Sequence, residues 1–442
     1  MTRNGDNARN GANGQKNRNG RILQQPARVP SAHVIVSRFG PILGKRRVRE
    51  NLPILALAHA AYMGLRRSAK AIRGRGANIF TQWAGDPDAL GSAVALQAIL
   101  TELGATEVRI LTGSLGHPQN RNLVERAGIV LHDPNTGRLP RGLHCMVDTS
   151  PPLGMANTGG VEPVRDFFFV ADHHADPAEV EENCLARGVR RVKLAFVGIP
   201  VGSTSAFVSA IAAAFGILDK LGPQGRAAAA LGIYTDTSAL LHGATPLYFK
   251  MFELLTRDEA TQDLLDDLRD YRVPPEWYAY RAAAFRNQEV TGAVRVAPIG
   301  YVREQHRDVI AEIANELLRV EGTSIGISVA VTERGTEVSV RADSRLLGHD
   351  QPRIVRVIDH LLSSAFPGVS GFKYERHPPH RVEGGACMPL SEEQARVWKL
   401  NNPPPSREGD PILEHCRDSA RVIVAALVEL KRTQPDEIGG LL

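Results

Sequence analysis

The chain has 442 residues, of which 43% are hydrophobic and 23% charged, and a formal net charge of +5. At roughly 150 residues per domain this composition supports two or three globular domains and excludes a disordered chain, a collagen or a coiled-coil rod. Four scattered cysteines without a C-x-x-C pair exclude a disulfide scaffold and fit a reducing cytoplasm; no apolar run reaches the ~18 residues of a membrane-spanning helix.

The charge is uneven. Residues 1–30 carry six Lys or Arg against Asp6, and residues 31–76 carry ten against Glu50, so the remainder is net acidic. The first 30 residues are rich in Asn, Gly and Arg with almost nothing apolar before Ile22. Such a segment buries too little surface to offset chain entropy and reads as a disordered basic tail. Residues 1–76 together are the place where RNA contact is expected.

Residues 48–73 read as one amphipathic helix. Short apolar runs at 78–83, 108–112, 144–148, 167–172 and 192–197 then read as buried strands. Helical stretches at 91–103, 121–127 and 177–187 alternate with them, which predicts an α/β domain with a mostly parallel sheet over residues 31–257. Two helices, near 205–220 and 225–234, close it. Residues 258–291 read as a helical connector broken at Pro274-Pro275. A smaller α/β unit follows at 292–390, with strands at 294–302, 324–332 and 337–342 and a Gly- and His-rich loop at 371–386. Residues 391–442 read as a C-terminal helical extension.

Four clusters can carry chemistry. Gly85-Asp86-Pro87-Asp88-Ala89-Leu90-Gly91-Ser92 places two carboxylates at i, i+2 in a turn before a helix. Val147-Asp148-Thr149-Ser150 and Ala171-Asp172-His173-His174 each follow a strand, and Tyr234-Thr235-Asp236-Thr237 ends a helix. Ligands of open α/β sheets bind at the carboxyl ends of the strands. Carboxylate and imidazole without thiolate suit Mn or Mg. A cation also removes the repulsion that crowded carboxylates would otherwise relieve by taking protons.

The order G-D-P-D-A-L-G-S, V-D-T-S, D-H-H and T-D-T, spread over residues 78–246, resembles the four motifs of the DHH phosphoesterases, the RecJ-like group that includes nano-RNase/pAp phosphatases. The resemblance implies two Mn2+ (or Mg2+) ions. One is held by Asp88, Asp148, His173 and Asp236; the other by Asp86, the shared Asp148 and a residue at position 82. Family members carry His there, whereas this chain has Gln82. Three consequences stay open: one tight and one weak ion, recruitment of another ligand, or binding without turnover. The resemblance further implies that His174 contacts the substrate phosphate, that Asp172 orients an imidazole, and that water activated by the metals attacks phosphorus.

The second unit is similar to the family's substrate-binding domain. Arg341 stands where a strand arginine is expected, and His380, Arg381, Gly384 and Gly385 stand for a glycine-rich phosphate loop in altered order. The function these residues imply is hydrolysis of a short nucleotide: nano-RNA, pAp, or a cyclic or linear dinucleotide. Two alternatives remain at this point: a catalytically weakened nucleotide-binding or regulatory protein, and an RNA tether acting through the basic segment. A cytoplasmic homodimer without membrane contact completes the expectation.

Overall fold

The computed structural model describes residues 22–23, 30–113, 115–134, 141–151, 164–174, 176–237, 239–240, 245–343, 351–366, 373–377, 381–398 and 409–433. The chain divides into two compact units, one of residues 1–114 and 123–266, the other of residues 115–122 and 267–442.

The first unit opens with α1 (Ala32–Leu43), α2 (Lys45–Glu50), α3 (Leu52–Arg67) and α4 (Ala69–Ile72). The single helix expected over 48–73 is therefore three. Pro53 lacks an N–H and sits in the first turn of α3, where no intrahelical donor is needed, so a new helix starts there. Six strands follow: β1 (Gly76–Phe80), β2 (Glu107–Leu111), β3 (Leu131–His132), β4 (Leu143–Val147), β5 (Asp166–Asp172) and β6 (Arg191–Val197). They are all parallel, in the order β3-β2-β1-β4-β5-β6. The order reverses between β1 and β4, and that switch point opens a crevice at their carboxyl ends.

Helices α5 (Pro87–Glu102), α8 (Thr204–Phe215) and α9 (Gly222–Asp236) pack together beside the sheet. Two glycines let α5 and α9 meet. A Cβ on Gly91 would stand 2.6 Å from the Ala228 carbonyl oxygen, and one on Gly232 would stand 2.9 Å from the Asp88 Cα. This close approach brings the end of α9 to the start of α5. Helices α6 (Pro118–Arg126), α7 (Pro177–Ala186), α10 (Pro246–Leu255) and α11 (Glu259–Arg269) complete the run.

Residues 1–30 were expected to bury nothing, and that fails at two positions. Ile22 and Leu23 are buried in the cluster of Val170, Val180 and Val192. Leu23 bridges Val192 in parallel, and the Val192 N–H donates to the Ile22 carbonyl.

The second unit contains α12 (Pro275–Asn287), β7 (Glu289–Thr291), β8 (Val294–Tyr301), α13 (Val309–Leu317), β9 (Ile325–Thr332), β10 (Gly335–Asp343), α14 (Gln351–Ala365), β11 (Lys373–His377), β12 (Arg381–Met388), α15 (Glu392–Trp398) and α16 (Pro411–Thr433). Its sheet runs β11-β12-β10-β9-β8-β7, parallel only between β8 and β9. Every residue of β9 is buried, because both faces are covered. Trp277 of α12 and Ile313 of α13 pack on Ile299 and Ala330, while α14 and α16 pack on Ile327, Val329 and Val340. The stretches read as connector and extension thus contribute helices to this unit's core.

Candidate metal centre

β1 ends at Phe80, earlier than expected, so Gln82 and Asp86 lie in the turn before α5. Asp86 caps α5: its Oδ1 accepts from Ala89 N at 2.9 Å. Its Oδ2 accepts from Gln82 Nε2. Asp88, in the first turn of α5, is fully buried. Its carboxylate accepts from Ser203 Oγ at 2.6 Å, Thr204 N at 2.7 Å and Ser205 N at 2.9 Å. Those N–H groups are the free donors at the start of α8, a favourable seat for a buried carboxylate.

Asp148 follows β4 with φ 58°. Asp tolerates this left-handed backbone better than most residues, and here it turns the carboxylate into the crevice. Thr204 Oγ1 donates to its Oδ1 at 2.9 Å, while its Oδ2 is buried without a partner.

His173 and His174 follow β5. His173 Nδ1 lies 3.1 Å from the Val201 carbonyl oxygen. A carbonyl only accepts, so Nδ1 carries the proton and Nε2 presents its lone pair in the neutral ring. That Nε2 lies 3.1 Å from Asp236, 3.4 Å from Asp148 and 3.8 Å from Asp88, buried and aligned with none of them as a hydrogen bond. His174 Nδ1 lies 3.1 Å from Asp172 Oδ1, and Ser150 Oγ donates to Asp172 Oδ2 at 2.6 Å.

Burial and mutual charge dominate the electrostatics of the cluster. Burial first, then the charges of Asp236 and Asp148, push Asp88 well above the usual carboxylate range. Burial, Asp148 and Asp236 do the same to Asp86. Burial opposes ionisation of Asp148 too, but close contact with His173 and the two imidazolium charges hold it at about 2. Burial disfavours charge on His173, yet Asp148 and Asp236 raise it well above its ordinary value. Crowded, buried carboxylates favour the protonated form, and a nearby positive charge relieves that crowding. The donor set fits a cation: Asp88, His173 and Asp236 offer ligand atoms within 4.8 Å of one another, as do Asp148, His173 and His174. The unpartnered His173 Nε2 and Asp148 Oδ2 are the atoms it would satisfy.

Three parts of this frame lie outside the four motifs. The Val201 carbonyl orients His173, the Thr204 N–H binds Asp88, and Tyr248 from α10 accepts from Gly202 N through its hydroxyl oxygen. The first two are main-chain groups and carry no signature in residue identity.

In the second unit a pocket of about 440 Å³ is lined by Arg307, Asp308, Glu337, Ser339, Arg341, Glu383, Gly384, Gly385 and Cys387, among others. The loop expected over residues 371–386 is instead largely β11 and β12. Gly384 and Gly385 are in register with Val340 and Ser339 on one side and Tyr374 and Lys373 on the other, so their amides face sheet neighbours. Arg341 is not bare: its Nη2 lies 3.2 Å from Glu383 Oε2, and its Nη1 donates to Ser339 Oγ. Arg381 sits on β12 opposite Asp343, and His380 lies outside the described residues.

The all-parallel six-stranded sheet gathers the four motifs at one switch point, a mixed-sheet unit follows, and this α/β architecture is shared with solved structures. An exopolyphosphatase-related protein from Bacteroides fragilis superposes with TM-score 0.51 at 14% identity, over 80% of this chain and 98% of that one. RecJ from Thermus thermophilus in complex with Mn2+ aligns at TM-score 0.32 and 15% identity, over 95% of this chain and 67% of that one. An exonuclease RecJ bound to manganese aligns at 0.33 and 16%, over 82% and 94%. No family model and no curated protein matches the sequence. Among the described residues no helix is long and apolar enough to cross a membrane.

Proposed function

We propose that the protein is a metal-dependent phosphoesterase acting on short nucleotides, with Mn2+ or Mg2+ at the cluster. The observation that carries this is His173: its bare, buried Nε2 is aimed among Asp88, Asp148 and Asp236, an arrangement a divalent cation completes. Bound there, a cation supplies Lewis acidity that acidifies water and offsets charge on phosphoryl oxygens. The chain's own residues do the rest. Ser203, Thr204 and Ser205 hold Asp88 in place, and Thr204 fixes Asp148. Asp172 holds His174 by Nδ1 and leaves its other nitrogen for a phosphoryl oxygen of the substrate.

The pocket of the second unit, taken by itself, would bind the phosphate of a nucleotide. Arg341 and Arg307 offer guanidinium groups there, each already engaged by a carboxylate, Glu383 and Glu337. The basic residues of α2 to α4 would add sequence-independent attraction for RNA.

The test is hydrolysis by the metal-loaded full chain of a panel: two- to five-residue RNA, pAp, cyclic dinucleotides, pyrophosphate and polyphosphate. The expected result is Mn-dependent release of mononucleotide from one of the first three classes. Cleavage of pyrophosphate or polyphosphate alone would move the substrate class, and no cleavage with metal bound would leave a binding protein.

A further inference from the structure

Gln82 stands where a second cation would need a ligand, and the structure shows what it does instead. Its amide meets Asp86 Oδ2. The amide presents its NH2, which donates to that oxygen. The other oxygen of Asp86 is taken by the Ala89 N–H as the cap of α5. Both Asp86 oxygens are therefore engaged by donors of its own chain.

Asp88 also has both oxygens engaged, by Ser203, Thr204 and Ser205, but it lies in a cluster with unpartnered atoms. His173 Nε2 and Asp148 Oδ2 are buried with no hydrogen-bond partner. Both triads whose ligand atoms come within 4.8 Å of one another contain His173, and neither contains Asp86. Trp83, next to Gln82, is turned aside: its ring fills the place a side chain at Gly113 would need.

We propose that this chain builds a single-cation centre from Asp88, Asp148, His173 and Asp236, and that Gln82 closes the second place by binding Asp86. The inference rests on the reading that the cluster holds a divalent cation. It makes Asp86 a helix cap and Gln82 its lock. An amide donor balances the Asp86 charge in part without a metal, which an unprotonated imidazole nitrogen facing the carboxylate could not do.

The test counts ions. The full chain, stripped with EDTA and titrated with Mn2+, is followed by calorimetry and native mass spectrometry, alongside Asp86→Asn and Gln82→His. Expected are one Mn2+ on the wild type, one on Asp86→Asn with affinity within about threefold, since Asn caps a helix as well as Asp, and two on Gln82→His. Two ions on the wild type overturn the proposal. So does a loss of about 10–100-fold on Asp86→Asn, the scale expected when a metal-supporting group is removed. A count of one on Gln82→His overturns the role given to Gln82. No ion on the wild type overturns the metal reading beneath it instead. The wild-type count stands even if a variant fails to fold.

Discussion

Thr204 joins two of the carboxylates at the centre: its N–H donates to Asp88 Oδ2 at 2.7 Å and its Oγ1 to Asp148 Oδ1 at 2.9 Å. One residue at the start of α8 thus sets the spacing of two carboxylates that lie far apart in sequence. Thr204→Val keeps the N–H and the shape but removes the hydroxyl. It should weaken Mn2+ binding by about 10-fold or more and leave the melting temperature within a few degrees. Equal Mn2+ affinity in calorimetry would show that the hydroxyl does not hold Asp148.

Asp148 combines a chemical and a backbone demand. Both Asp148→Asn and Asp148→Ala should reduce metal-dependent hydrolysis by at least 100-fold. Only Ala should add a backbone cost of about 1 kcal/mol, because Asn shares the tolerance of Asp for φ 58° and Ala does not. Chemical denaturation of the two variants without metal measures the difference. Retention of more than about a tenth of turnover in either, a barrier change of only ~1.4 kcal/mol, would remove Asp148 from the centre.

The Arg341–Glu383 contact governs the second pocket. Glu383→Gln removes the neutralising charge beside Arg341. Binding of a mononucleotide should tighten by roughly three- to tenfold at low salt, the scale of a partly solvated charged contact. Fluorescence or calorimetric titration reads it, and unchanged affinity would mean that Arg341 does not meet the phosphate.

His117, in the second unit, gives an acid-sensitivity prediction. Burial first, then Arg121 and Arg281, lower it from 6.5 to about 4. The folded state therefore resists the proton that the unfolded chain accepts. The stabilisation is full above about pH 6.5 and is lost as pH falls toward 4, by up to ~3 kcal/mol. His117→Phe should flatten the fall in melting temperature between pH 6.5 and 4.5 relative to wild type. Parallel curves would show that His117 titrates normally.

The basic tail divides at Ile22. Removing residues 1–21 should leave the melting temperature nearly unchanged and reduce the salt sensitivity of RNA binding. Extending the deletion through Leu23 removes two buried side chains at about 1.5–3 kcal/mol each, so the melting temperature should drop by several degrees. A large drop already at residue 21 would mean that the earlier residues are docked too.

The core of the first unit was legible because its strands are short, apolar and spaced by helices, and because Asp86, Asp88, Asp148, Asp172, His173, His174 and Asp236 fall in local motifs next to element ends. What was hidden is non-local. Two apolar residues in a polar tail are too few to show a period, so Ile22 and Leu23 passed as tail. Gly384 and Gly385 read as a loop because glycine signals turns when seen alone; their place in β12 depends on pairing with β10 and β11. The engagement of Arg341 by Glu383 is a cross-strand relation, set by the register that pairs those two residues.

Leu23 also changes how the first sheet ends. An edge strand with open N–H and C=O groups is a template on which another chain can pair. β3, at one margin, spans only two residues. At the other margin the Ile22 carbonyl accepts the Val192 N–H, and Leu23 lies alongside β6. The short peptide therefore covers that edge at Val192. A chain clipped after Leu23 would lose solubility on concentration faster than its loss of stability alone accounts for.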